Sequence, residues 1–239
     1  MPTKAELRSL RDLRMKRRRE ALGLFVIEGE KVVAELAAAQ FPFEAIYATR
    51  EWTGERTHTL SVAEMARVSH FPTPSAVLAV GRIRRAPLAP GALERGLTLA
   101  LDGVQDPGNV GGLLRVADWF ALDRVLLSPD CADLFSQKTI NASMGSFARV
   151  AVHTADLSEV LAGVRVPVFG CELTGDDIHA LPPCRDGIIV IGSEGRGLSE
   201  AVKRRVTRSI TIPRRGKAES LNAAIAAAVV CDNFRRISP

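Results

Sequence analysis

The chain has 239 residues with 46% hydrophobic content, enough to bury one large core or two modest ones, and a formal net charge of +5 that favours a polyanionic partner without identifying it. Cys131, Cys171, Cys184 and Cys231 form no C-x-x-C pair and His58, His70, His153 and His179 are scattered, so no metal site is expected and the cysteines read as reduced core residues. No apolar run approaches the roughly 18 residues of a membrane span, and the N-terminus lacks a signal-type apolar region, so a cytoplasmic protein is expected.

In chain order, residues 4–19 read as a helix, with Leu7, Leu10 and Leu13 at near-helical spacing. Lys4, Arg8, Arg11, Arg14, Lys16, Arg17, Arg18 and Arg19 crowd the same segment, opposed only by Glu6 and Asp12 before Glu20. A docked leucine stripe leaves these cations displayed together. Residues 24–27 are a predicted strand, 30–39 an Ala-rich helix, 43–48 a strand, 62–68 a short helix and 77–83 a closing strand. Together they make a small α/β unit near the lower size limit for independent folding. Residues 84–96 are rich in Pro and charge, lack either periodicity and predict a linker between domains 1–83 and 97–239.

The remainder alternates strand and helix. Residues 97–101, 124–127, 150–152, 166–171, 187–191 and 209–212 read as strands, and 110–120, 137–142 and a long segment from Ser220 as helices. Such alternation predicts a mostly parallel sheet covered by helices on both faces. Three segments sit where a strand passes into a helix: Asp106-Pro-Gly-Asn-Val-Gly-Gly-Leu-Leu-Arg115, Ile191-Gly-Ser-Glu-Gly-Arg-Gly-Leu198, and Ile212-Pro-Arg-Arg-Gly-Lys-Ala-Glu-Ser-Leu-Asn222. In an open α/β sheet, ligands settle outside the carboxyl ends of the strands, so these loops mark one pocket.

Taken in order, the three segments resemble the motifs of the SpoU (TrmH-like) RNA 2′-O-methyltransferases. Asn109, Gly111 and Arg115 match an Asn-x-Gly-x-x-x-Arg motif, and Gly192, Glu194 and Gly197 a Gly-x-Glu-x-x-Gly loop. Ile212, Pro213, Gly216, Ser220, Leu221 and Asn222 match Ile-Pro-x-x-Gly-x-x-x-Ser-Leu-Asn; Ala223 and Ala224 then stand where the family usually has Val-Ser. The resemblance covers roughly residues 97–239. It implies a trefoil knot in the C-terminal segment, S-adenosylmethionine as cofactor, and homodimers paired through the knotted domains. The segments Phe25-Val-Ile-Glu-Gly-Glu30 and Ala76-Val-Leu-Ala-Val-Gly81 resemble the ribosomal-protein-like RNA-binding domain that precedes many such catalytic domains, although Glu28 and Gly29 equally fit a strand end and turn.

That chemistry assigns roles residue by residue. The resemblance places cofactor contacts at Gly192, Ile212 and Leu221, and Gly195 also removes a side chain where backbone would approach the ligand. A ribose 2′-hydroxyl needs proton removal or stabilisation of its alkoxide. The resemblance gives this task to Arg115; an arginine stays protonated, so holding a phosphate or the nascent alkoxide suits it better than acting as a base. Asn109 would orient the ribose or the loop, against an alternative as helix cap. Glu194 would fix the second loop or bind Arg115 or backbone. Ser220 and Asn222 either cap the final helix or also contact the acceptor. Lys16, Arg17, Arg18 and Arg19 would contact RNA phosphates. No G-x-G-x-x-G follows the first strand and no G-x-x-x-x-G-K-[ST] occurs, which sets aside dinucleotide and NTP enzymes. Ribosomal RNA is the favoured substrate and transfer RNA the alternative. A non-catalytic RNA-binding or assembly factor on the same fold is the rival from another class.

Overall fold

A computed structural model describes residues 2–50, 52 and 57–236. The chain divides into two units, Met1–Arg84 with Asp133–Ala148, and Arg85–Ala132 with Arg149–Pro239.

In the first unit, strands β1 (Leu24–Glu28), β2 (Ala45–Ala48), β3 (Thr57–Thr59) and β4 (Val77–Arg82) form a four-stranded sheet in the order β1-β4-β2-β3. Helix α1 (Lys4–Asp12) is opened by a capping box in which Thr3 and Glu6 satisfy each other's free amides. Leu7, Leu10 and Leu13 are buried with Val26, Met65 and Val80, Met65 coming from α4 (Val62–Val68). The leucine stripe therefore docks as expected. The expected single helix over residues 4–19 does not form: α1 stops at Asp12 and α2 (Lys16–Leu22) begins after a turn. Arg19 explains the break, because its Nη1 donates to the carbonyls of Leu13 and Arg14, both at 2.8 Å, satisfying acceptors that the interruption frees.

Strand alternation sends Phe25 to the opposite face of β1 from Val26. There it meets Phe135 at 4.9 Å and Phe147 at 5.7 Å between ring centroids, and Phe41, which follows α3 (Glu30–Ala38), meets Phe147 at 5.8 Å. Gly81 pairs with Phe25 across β1 and β4, and a Cβ on Gly81 would lie 2.7 Å from the Phe25 ring. These contacts bring residues 133–148, including α6 (Gln137–Ser143), into the first unit, although sequence position assigned them to the C-terminal domain. Glu28 is fully buried and accepts hydrogen bonds from Ser69 Oγ and from the backbone amides of His70 and Ser75. It pins the turn leading into β4, which gives this residue a structural task.

Among the described residues the second unit holds six strands, β5 (Leu97–Asp102), β6 (Arg124–Leu127), β7 (Val152–Thr154), β8 (Val168–Asp177), β9 (Gly187–Gly192) and β10 (Arg208–Thr211). Their order is β10-β8-β9-β5-β6-β7 and every pairing is parallel, as the alternation predicted. The helices are α5 (Pro107–Trp119), α7 (Leu157–Val160), α8 (Glu200–Lys203) and α9 (Ala223–Arg235). Residues 84–96 are not a free tether: Leu93 is buried with Ala100, Leu126 and Val190, and Leu88 packs on the same cluster. Gly112 of α5 faces α9 so closely that a Cβ there would lie 3.2 Å from that of Ala224. A small residue at 224 follows from that approach. Among the described residues, no helix is long and apolar enough to cross a membrane.

Candidate active site

β5 and β9 are neighbours, with Asp102 paired to Gly192 at their carboxyl ends. Beyond β5, Asp106 accepts from the amides of Gly108 at 2.6 Å and Asn109 at 3.1 Å, and Pro107 occupies the first turn. Asp106 is thus the N-cap of α5, and Asn109 is released from that alternative role. Beyond β9 the loop folds back on itself: Ser193 and Gly197 exchange backbone hydrogen bonds of 3.0 and 2.8 Å. A Cβ on Gly192 would lie 2.3 Å from the Gly197 carbonyl carbon, so the loop cannot close over any larger residue. Gly195 has open space where a side chain would be. The loop is anchored at its far end by Asp102, only 7% exposed, which accepts from the Ser199 amide at 2.6 Å.

The third loop ends at Asn222, whose Oδ1 caps α9 by accepting from the amides of Ala224 and Ile225 at 3.0 and 3.3 Å. With that oxygen committed, its Nδ2 donates to Asn109 Oδ1 at 2.8 Å. Asn109 Nδ2 in turn donates to the Glu194 carboxylate. One residue from each motif therefore joins a directed chain, Asn222 to Asn109 to Glu194, which ties the three loops together.

Two candidate residues stand outside this chain. Arg115 is exposed and has no hydrogen-bond or ion-pair partner among the described residues; Glu194 binds Asn109 rather than Arg115. Six residues on from Asn109, it lies about 9 Å along the helix axis and roughly 120° round it. Ser220 is exposed and likewise unpartnered, so Asn222 alone caps α9. Ile212 is half-buried, whereas Leu221 at 49% and Ile225 at 55% leave apolar side chains in the open beside the site. Such surfaces fit the faces of an adenine ring, and the open space at Gly195 fits a close backbone approach. A recess of about 310 Å³ lined mainly by apolar side chains such as Phe169, Leu181, Pro182 and Phe234, with Thr207 and Arg208 also on its wall, lies toward the amino end of β8, away from these loops.

In the first unit, Lys16, Arg17 and Arg18 are exposed, and Arg18 lies only 3.9 Å from Asp12. Arg19 corrects the expected fourfold display. It is 5% exposed and ion-paired with Asp133 of the same unit, because it closes the helix break from inside. Arg14, though exposed, is tied to the Ser69 carbonyl. Asp102 and Asp106 were not singled out as site residues from sequence. An Asp followed by Pro at a helix start is a legible capping signal, whereas the Asp102–Ser199 contact joins positions far apart in the chain.

Residues 96–232 match the family described as the SpoU rRNA Methylase family, and residues 4–79 match the MRM3-like substrate binding domain. The Bacillus subtilis protein named 23S rRNA (guanosine(2553)-2′-O)-methyltransferase RlmP is 30% identical, covering 96% of both chains. A solved structure of a putative RNA methyltransferase of the TrmH family from Porphyromonas gingivalis is 37% identical, with a TM-score of 0.85 over 99% of both chains. An AdoMet-bound rRNA methyltransferase from Sinorhizobium meliloti, at 24% identity, shares the fold with a TM-score of 0.85 over 99% of this chain and 96% of its own. The motif residues, the parallel sheet and these similarities agree: the chain belongs to the SpoU methylase family.

Proposed function

We propose that this protein transfers a methyl group from S-adenosylmethionine to a ribose 2′-hydroxyl of ribosomal RNA, as a cytoplasmic homodimer that needs no metal. The hydrogen-bonded chain from Asn222 through Asn109 to Glu194 carries the reading, since it assembles all three motif loops at the carboxyl edge of the sheet. When bound, S-adenosylmethionine supplies an electrophilic sulfonium methyl. Leu221 and Ile212 would pack on its adenine, with the Gly192–Gly195 backbone alongside. Asn109 is held rigidly at both ends of its amide, which suits it to orient the acceptor ribose. Arg115, permanently charged and unpartnered, holds the adjoining phosphate and the developing alkoxide, while the hydroxyl proton passes to water or a phosphate oxygen.

The dimer rests on the family resemblance, which would set Arg115 of one copy beside the cofactor pocket of the other; the exposed, unpartnered side chain of Arg115 is compatible with that role. The knot rests on the family resemblance alone; residues 212–222 lead from β10 at the sheet edge to α9, which packs on α5. Transfer of labelled methyl to bulk RNA, followed by mapping of 2′-O-methyl sites with and without the gene, tests the proposal. Label on transfer RNA would change the substrate, and no transfer would leave a binding factor.

A further inference from the structure

Several cations in the second unit are committed to partners, and of the exposed ones without a partner among the described residues, Arg95, Arg185 and Arg204 stand singly before β5, β9 and β10 whereas three gather on neighbouring loops at the carboxyl edge. Arg149, Arg165 and Arg208 pair with Asp118, Glu94 and Asp176, and Arg205 donates to the Ser158 carbonyl. At the carboxyl edge of the sheet, Arg196, Arg215 and Lys217 are exposed and have no partner among the described residues. Arg214 donates to the Ala218 carbonyl at 3.3 Å, closing residues 214–218 into a turn that carries Arg215 and Lys217 outward. Glu219 is the only acid between Ile212 and Asn222, so this turn is strongly positive. β9 and β10 are separated only by β8, so the loops bearing Arg196 and the turn spring from points about 10 Å apart. Neighbouring backbone phosphates in a single strand lie within that range.

We propose that Arg215 and Lys217, with Arg196 opposite, form a phosphate-binding rim that grips the RNA backbone flanking the methylated nucleotide. The proposal rests on the methyltransferase reading for what the strand is doing there, though not for the affinity itself. None of the three side chains has a structural task that would explain its charge. The motif fixes Gly216, Ser220, Leu221 and Asn222 and leaves 214, 215 and 217 free, so cations at these places add charge without altering the loop's framework. The ligand is a phosphodiester backbone read without regard to base, because none of these residues is positioned by packing to read a base edge.

The test compares wild type with Arg215→Gln/Lys217→Gln, using a short single-stranded ribosomal RNA oligonucleotide, anisotropy at several salt concentrations, and calorimetry for S-adenosylmethionine. Neutralising two phosphates in a single strand contributes about 1.4 to the slope of log affinity against log salt. The double variant should lose roughly that slope and bind RNA about tenfold more weakly near physiological salt. Its cofactor affinity should stay within twofold, and the loss in methyl transfer should fall on KM for RNA rather than on kcat. An unchanged slope in a variant that melts like wild type would overturn the rim. So would a large loss of cofactor affinity with RNA binding intact, which would assign the cations to the cofactor's carboxylate. If wild type binds RNA but transfers no methyl group, the functional proposal fails while the rim stands.

Discussion

Arg115 stands apart from Asn109, Glu194 and Asn222, which are locked by one another. A residue free of local bonds contributes little to the folded state, so its replacement isolates chemistry from stability. Arg115→Ala and Arg115→Lys should both lower kcat at least a hundredfold, on the order seen when one charge-stabilising donor is removed, because lysine keeps the charge but loses the planar fork. Cofactor affinity by calorimetry should stay within a few-fold; near-normal transfer by Arg115→Ala would remove the assigned role. Gly192→Val is expected to behave differently. Its side chain would enter the space of the Gly197 carbonyl and open the loop, at about 1–3 kcal/mol of stability together with loss of cofactor binding. A variant that binds the cofactor normally and melts at the wild-type temperature would contradict this. Sequence alone pointed to Gly192 for the ligand's sake. The structure adds that the loop's own backbone already occupies the Cβ position, a constraint invisible without coordinates.

At the scale of elements, α1 and α2 show what periodicity reveals and what it hides. The leucine spacing exposed the docked face, and strand alternation and motif position made the parallel sheet legible. The break between α1 and α2 was not legible, because Arg19 belongs to the same charge run as Arg17 and Arg18 and differs only in where its helix points it. Arg17→Ala/Arg18→Ala should therefore weaken RNA binding and flatten its salt dependence with the fold intact. Arg19→Ala should instead cost roughly 3–5 kcal/mol by stranding Asp133 and the Leu13 and Arg14 carbonyls, read as a fall in urea midpoint. His70 offers a second measurement on this unit. Burial pushes its imidazole down to about 4, reinforced by Arg14 and Arg19 and opposed by the bond to the Leu10 carbonyl. The folded state resists protonation, so stability is complete above the ordinary value of about 6.5 and falls as pH drops from there toward 4. The slope should reach at most about 1.4 kcal/mol per pH unit, and His70→Gln should remove most of it in urea titrations at pH 7 and 5. The strand β3 has no signature in the sequence, because three residues, Thr-His-Thr, are too short to show alternation.

For the whole molecule, the proposed dimer places a demand on α5 and α9, where Trp119 is 84% exposed and Ile225 55% exposed. Light scattering at micromolar concentration should return twice the chain mass, and a monomer would sink the proposal. The matched family segments, 4–79 and 96–232, fall close to the expected domains, but the spatial units do not follow the chain in one piece each. The prolines of residues 84–96 suggested a linker, yet Leu88 and Leu93 pack into the second unit, and the return of Asp133–Ala148 to the first unit depends on Phe135 and Phe147 meeting Phe25, which no local pattern announces. That return bears on how the chain is made. During synthesis the first sheet emerges early, yet the rings that cover Phe25 and Phe41 arrive only after residues 85–132 have left the ribosome. The N-terminal unit must wait, partly bare, for a piece of chain embedded in its neighbour. A fragment cut at Leu97 would carry Phe135 and Phe147 away from their partners, so the two units cannot be separated by a single cut, nor could the first be exchanged between relatives by one crossover without replacing this inserted stretch as well.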